Sequence, residues 1–516
     1  MGDVVNIKQK VESRVDEEKE KHGGGGGSGE LEPKFVQQCL NENELGDGKL
    51  FKLLNRGRFV FNKAADCWMV WAGHHWDIDI LNQAAATVEG VAAVYQQEAK
   101  RISKEMRELD EDDPNIKRLE ALRKQLNRRI SDLRSISRRQ NCLAWAHTSV
   151  DPLAIKGDEM DAKPWKLPCK NGVINLVTGE LEDGKPEDFL LKSSPVEWQG
   201  IDAPCPTWDK TLMEIFQGNE NLVNFLQRLF GYALVGEVIE SVLVVMSGRG
   251  RNGKSMIVET ISEILGPLAA SIRPEMLLDQ FRMSSSSGPT PDIMALRGIR
   301  TAFASETDEN CKISPSRVKW LTGNDTITGR NPHDKHEVHF RPSHTLFLLT
   351  NHKPHAPADD FAFWERMVLI PFELSFVNRE PQEPNEIKAD RNLPAKLKKE
   401  LPGILAWMVR GCLIWQNEGG LAPPPAVKEA VKEYKRDEDI IQDFIDECCI
   451  VDPDTHVGAT AVYEVFEAWW KKNVSNRVPK QKRFGSLFGK RFEKRKEGSV
   501  KYFGVGLLDD LSDVYD

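Results

Sequence analysis

Gly248-Arg249-Gly250-Arg251-Asn252-Gly253-Lys254-Ser255 has the composition and spacing of a loop that wraps phosphate. Glycines let backbone N–H groups turn inward, Lys254 brings a cation to the β- and γ-phosphates, and the Ser255 hydroxyl can ligate Mg2+ at the positive end of a helix. The flanks fit this chemistry. Val242-Leu-Val-Val-Met246 reads as a buried strand before the loop, and Ile257-Val-Glu-Thr-Ile261, just after Met256, reads as the helix behind it. The eight loop residues and Met256 are therefore the expected nucleotide contacts, with ATP as ligand and Mg2+ as its companion ion.

Hydrolysis needs a group that orients water at the γ-phosphate. Ile299 to Asp308 reads as an apolar strand ending in carboxylates, and Glu306 is expected to orient the water and to share Mg2+ with Ser255. Ser305 stands where an Asp usually precedes this Glu, which makes Asp308 the fallback for the metal. A third apolar strand, Thr345 to Thr350, delivers Asn351 as a γ-phosphate sensor. Arg366 precedes another apolar strand and has two readings, an ordinary salt-bridge former or an arginine finger acting in a neighbour's site. Between acidic strand and sensor, Lys319 to Phe340 reads as a helix end, a glycine turn and a hairpin. Its tip carries Arg330, His333, Lys335 and His336, suited to nucleic-acid phosphate, with a solvated surface loop as the alternative.

These residues must be positioned by a chain of 516 residues, long enough for more than one core. Its 70 basic and 79 acidic side chains leave a formal charge of −9, so any nucleic-acid site has to be a local patch. No apolar stretch approaches the roughly 20 residues of a membrane span, and the N-terminus lacks a secretory pattern; a cytoplasmic protein with no membrane partner is expected. Nine scattered cysteines without a Cys-x-x-Cys pair point to reduced thiols, not to a disulfide framework or a zinc site.

Residues 1–33 read as a charged, glycine-rich tail and 34–205 as an N-terminal α+β domain. Within the latter, Phe59 to Trp76 reads as tryptophan-rich paired strands and Leu81 to Leu143 as helices. The charged run Arg118 to Arg139 reads as a solvated face, with DNA contact as the alternative. Residues 206–240 form an amphipathic helical segment expected to be a collar between subunits. Residues 241–375 are the expected ATPase core, 376–437 a helical lid, and 438–516 a C-terminal domain.

Taken together these motifs resemble the superfamily 3 helicase module of phage, plasmid and large-DNA-virus primase-helicases. The resemblance rests on the Asn171-Gly-Val and Thr178-Gly-Glu turns, Phe230-Gly-Tyr232, Gly250 to Ser255, Ser305-Glu306, Leu321-Thr-Gly-Asn-Asp325, Thr350-Asn351, Arg366 with Ile370-Pro-Phe372, and Leu401-Pro-Gly-Ile-Leu-Ala-Trp407. It implies an α/β fold with an AAA+-like ATPase core, a ring expected to be a hexamer, and 3′ to 5′ translocation on single-stranded DNA that unwinds forked duplex. No strand upstream carries the paired aspartates of a nucleotidyl transferase, so priming is expected from a separate primase or polymerase, in a bacterial cytoplasm for a phage or plasmid protein.

The C-terminal region adds an independent signal. Eleven Lys and Arg residues fall in the stretch from Lys471 to Lys496, interleaved with aromatics. This resembles a winged-helix domain with a recognition helix from Arg483 to Phe492 and a wing from Lys494 to Tyr502, in which Lys482, Arg483, Lys490 and Arg491 contact DNA. The competing reading of the whole chain is a P-loop switch or initiator that assembles on DNA without processive unwinding.

Overall fold

The computed structural model describes residues 31–110, 112–279, 290–305, 311–332, 337–474 and 478–508. The chain divides into two compact units, one of residues up to Asn175 with Glu180–Trp198, the other of Leu176–Gly179 with Gln199 onward.

The first unit opens with helices α1 (Pro33–Asn41) and α2 (Glu44–Asn55). Strands β1 (Phe59–Asn62), β2 (Cys67–Trp71), β3 (Trp76–Ile78) and β4 (Ala154–Ile155) form a sheet in the order β3-β2-β1-β4. Helices α3 (Gln83–Thr87), α4 (Glu89–Arg107), α5 (Asn115–Leu133) and α6 (Ile136–Thr148) lie between β3 and β4 in sequence. Strands β5 (Lys166–Cys169), β6 (Gly172–Asn175) and β7 (Glu180–Glu182) make a separate antiparallel sheet. The tryptophans of the hairpins are packing residues, as their alternation suggested: Trp68 meets Phe51 and Phe61 edge-on, and Trp71 meets Trp76.

Most of the charged run is exposed, as the solvated-face reading expects, but Arg129 and Arg138 depart from it. Arg129 turns inward, and its Nη1 donates to Asp47 Oδ1 at 2.8 Å. Arg138 Nε donates to Asp47 Oδ2 at 2.8 Å, and Tyr95 Oη to Oδ1 at 3.0 Å. Asp47 is fully buried, so three donors from three helices replace its lost hydration.

In the second unit, α7 (Pro206–Ile215) and α8 (Glu220–Tyr232) precede β8 (Leu243–Ser247) and α9 (Lys254–Leu265). Four more strands, β9 (Ala269–Ile272), β10 (Thr301–Ser305), β13 (Thr345–Thr350) and β14 (Met367–Pro371), join β8 in a five-stranded sheet ordered β14-β8-β13-β10-β9. Every pairing in it is parallel. Its strands are short apolar runs, the pattern required where both faces are covered. Short helices α10 (Pro291–Met294) and α11 (Pro315–Leu321) and the hairpin β11 (Ile327–Gly329) with β12 (Val338–Phe340) lie between β9 and β13 in sequence. Helix α12 (Phe361–Trp364) leads into β14.

The segment from 376, expected to be a helical lid, opens on a parallel pair, β15 (Ser375–Val377) with β16 (Glu386–Lys388), before α13 (Leu393–Lys399), α14 (Leu401–Glu418) and α15 (Pro425–Asp437). The apolar face of α8, where a subunit collar was expected, is buried inside the chain. Gly231 admits α14 so closely that a Cβ there would lie 2.1 Å from the Cys412 nitrogen, and Phe230 stacks on Phe347 of β13 at 5.2 Å. A subunit contact through this segment would have to use its other face.

The C-terminal part contains α16 (Ile440–Cys448), β17 (Cys449–Ile450), β18 (His456–Gly458), α17 (Ala459–Asn473), α18 (Gln481–Phe488), β19 (Glu493–Glu497), β20 (Ser499–Phe503) and β21 (Gly506–Leu507). Phe444, Phe466, Trp469, Phe484, Phe488 and Tyr502 form its own core. The helix expected to reach Phe492 stops at Phe488. Beyond it Lys490 N–H bonds Leu487 O and Arg491 N–H bonds Phe488 O, three residues back, so the chain tightens after Gly489 while Phe492 folds onto Phe488. β19 and β20 pair around Gly498, whose φ of +73° suits the turn.

Candidate functional site

The carboxyl ends of parallel strands are where an α/β sheet places loops around a ligand. Three such ends converge here, because β13 lies between β8 and β10. Loop 248–253 leaves β8, Asn351 follows β13, and Ser305 closes β10.

Lys254, the first residue of α9, is buried. Its Nζ donates to the Gly248 carbonyl at 2.5 Å, to Arg249 O at 3.5 Å and to Asn351 Oδ1 at 3.2 Å. Burial lowers its pKa to about 8. The structure thus brings together Lys254 and Asn351, which are 97 residues apart. The loop is held from outside. Gly248 N–H donates to Thr350 O at 3.3 Å, and Phe376 N–H of β15 donates to Arg251 O at 2.6 Å. The N–H groups of Arg249 to Gly253 have no acceptor among the described residues, which leaves five consecutive donors beside the α9 N-terminus.

Two glycines are required by geometry. A Cβ at Gly248 would lie 2.1 Å from the Phe372 carbonyl oxygen, and one at Gly253 would lie 2.7 Å from Ile215 Cδ1, where φ is also +92°. Asn252, expected among the nucleotide contacts, is buried, with Nδ2 donating to Phe372 O at 3.3 Å, so it ties the loop to the end of β14. Arg249, Gly250, Arg251 and Ser255 are exposed, and Met256 is half-buried.

A cavity of about 300 Å³ adjoins the loop, lined by Ile215 of α7, Met256 of α9, Phe376 of β15, and Leu393 and Pro394 of α13. Sequence reasoning missed every one of these except Met256. The missed residues come from three separate elements, and no local spacing connects them.

Arg366 lies elsewhere. Leu243 N–H bonds the Arg366 carbonyl at 2.7 Å, which puts Arg366 at the amino ends of β8 and β14. The loop is at the opposite edge, about 16 Å away at the rise of a parallel strand. Arg366 Nη1 donates to Ala362 O at 2.7 Å, while Nε is buried without a partner among the described residues. Glu306 and Asp308 are outside the described residues, as are His333, Lys335 and His336. Arg330 is described: its N–H donates to Thr290 Oγ1 at 3.1 Å beside the end of β11.

The C-terminal cations separate into two kinds. Lys482 and Arg483, in the first turn of α18, are exposed. Lys490 and Arg491 are each ion-paired within the chain, to Asp359 and Asp439.

Residues 48–217 match a family model described as D5 N terminal like. The chain is 27% identical over 350 residues to "Putative helicase L207/L206" of Acanthamoeba polyphaga mimivirus, covering 65% of this chain and 36% of the relative. It is 25% identical over 390 residues to "Putative helicase 022R" of Frog virus 3, covering 61% and 40%, and 21% identical over 331 residues to "Putative primase C962R" of African swine fever virus, covering 61% and 34%. The chain therefore spans well under half the length of these relatives. All three come from viruses of eukaryotes, so none of them carries the expectation of a bacterial host. The solved apo C-terminal region of NrS-1 aligns with a TM-score of 0.48 at 12% identity, covering 90% of this chain and all of that one. Among the described residues no helix is long and apolar enough to cross a membrane.

Proposed function

We propose that this chain is an ATP-driven DNA helicase of the superfamily 3 type, with a P-loop at Gly248–Ser255. The observation that carries the reading is the Lys254 ammonium, held between the Gly248 carbonyl and Asn351 at the carboxyl edge of the parallel sheet. An incoming γ-phosphate would draw Lys254 away from its carbonyls and place Asn351 beside the attacking water. The apolar cavity takes the nucleobase, with Ile215, Phe376 and Leu393 as its walls. Mg2+ arrives on the phosphates: Ser255, exposed in the first turn of α9, supplies one oxygen, which cannot hold the ion alone, and Glu306 supplies the carboxylate that orients water. Asp308 is the alternative carboxylate.

Arg366 cannot reach its own loop, so it serves the site of an adjacent subunit in a ring, proposed as a hexamer. The 438–516 region acts as a winged helix on DNA phosphate, and the Arg330 to His336 tip lines the strand path, with 3′ to 5′ movement. The sizes and names of the viral relatives support a replication role in a longer system that includes priming. The test is ATP turnover with and without single-stranded DNA, alongside unwinding of a forked duplex. DNA-stimulated turnover and unwinding, both abolished in Lys254→Ala, support the helicase. Turnover without unwinding would instead support a switch that assembles on DNA.

A further inference from the structure

Residues 351–360 run from Asn351, bonded to Lys254, to Asp360, which caps α12. Helix α15 grips this segment along its length. Lys353 Nζ lies 3.7 Å from Asp437 Oδ2, and His355 Nδ1 lies 3.3 Å from Glu438 Oε1. Ala356 N–H donates to Glu438 Oε2 at 2.9 Å, and Tyr434 Oη donates to the Pro354 carbonyl. The gripped assembly offers two carboxylates to the C-terminal cations. Asp359 Oδ2 lies 2.7 Å from Lys490 Nζ. Asp439, two residues past α15, receives Arg491 Nη2 at 2.5 Å on both oxygens, while Arg491 Nη1 donates to Gln442 Oε1 at 2.9 Å. The Lys490 ammonium, helped by the more distant Arg483, holds the Asp359 carboxyl below its usual range.

Lys480, Lys482 and Arg483, exposed at the start of α18, have no acidic partner within ion-pair distance among the described residues. We infer that the basic face works in two stages: Lys480, Lys482 and Arg483 make first contact with DNA phosphate, and further phosphates then compete with Asp359 and Asp439 for Lys490 and Arg491. Release of those carboxylates loosens the 351–360 segment and so reports DNA occupancy to Asn351 and Lys254. This rests on the nucleotide and DNA reading above and adds a regulatory link to it. Reciprocity follows, since a ligand that shifts the segment at one end must be felt equally at the other.

The test uses the full chain and two double variants. Asp359→Asn with Asp439→Asn removes the competing charges, while Asn at 439 can still accept from the Gln442 N–H, as the Asp439 cap of α16 does at 3.2 Å. Its DNA affinity should rise about three- to twentyfold, the combined weight of two exposed ion pairs. Lys490→Gln with Arg491→Gln should weaken binding and lower the salt slope by about 1.4 on single-stranded DNA or about 1.8 on duplex of the same sequence, which also tells the two phosphate sources apart. DNA should change the affinity of a fluorescent ATP analogue in the wild type and leave it unchanged in both variants. If the Asp variant binds DNA no tighter, or the cation variant keeps the wild-type slope, competition is overturned while the helicase reading stands. If the analogue responds to DNA equally in all three proteins, the 351–360 route is overturned. Absence of any DNA binding by the wild type sinks both readings together.

Discussion

Lys254 sits in a contradictory environment: it is a cation in a buried position whose acceptors are two carbonyls and an amide, all uncharged. Its pKa of about 8, against an ordinary 10.5, records that cost. A bound phosphate restores the charge, so nucleotide binding should take up a proton between pH 8 and 10.5, and affinity should fall as pH rises through 8. Calorimetric titration with ATP at pH 8.5, in buffers of different ionisation enthalpy, should show that uptake in the wild type and none in Lys254→Arg, whose guanidinium stays charged. Folding responds with the opposite sign. Across the same window the unfolded chain binds the proton and the folded chain does not, so the contribution of Lys254 to stability rises with pH. Equal proton uptake in the two proteins would assign the titration to another group.

Elements decide how rigidly the site is held. The loop cannot relax toward α7, because Gly253 adopts φ +92° with Ile215 against it. Gly253→Ala adds both strain and a clash, and should reduce ATP affinity at least tenfold while the far-UV circular dichroism is retained; wild-type affinity would mean that α7 gives way. In the first unit the comparable fixed point is Asp47, where α2, α4, α5 and α6 meet through one carboxylate. Asp47→Ala leaves the buried Arg129 with neutral acceptors at Leu40 and Asn43 but without the counter-charge of Asp47, and should cost about 3–5 kcal/mol, read from a urea titration followed by tryptophan fluorescence. A loss under about 1 kcal/mol would give the network no more weight than a surface pair.

At the scale of the whole molecule, the sheet keeps Arg366 and the 248–253 loop at opposite ends of β8 and β14. That separation makes a sharp prediction about assembly. Arg366→Ala protein and Lys254→Ala protein should each be inactive alone, and mixing them should restore part of the ATPase activity, since some interfaces then join an intact loop to an intact arginine. A labelled control must show that subunits exchange. With exchange demonstrated, no recovery would make Arg366 a structural residue, bonded to Ala362 and the β8 edge.

The loop, its strand and helix, the Asn351 strand end and the Gly498 hairpin were all legible in the sequence, because each is specified by residues adjacent in the chain: glycine at a turn, an apolar run for a covered strand, a polar group where the run stops. Periodicity also found α5, but not that Arg129 faces inward, since a charge on a helix seeks a partner that sequence spacing cannot supply from 82 residues away. The same limit hid the cavity walls Ile215, Phe376 and Leu393, and the pairing of Lys490 and Arg491 with Asp359 and Asp439. Local chemistry is written in short stretches whose conformation depends on backbone sterics and burial. Which stretches meet depends on strand order: only the parallel register β14-β8-β13-β10 puts Lys254 beside Asn351 and sends Arg366 to the far edge.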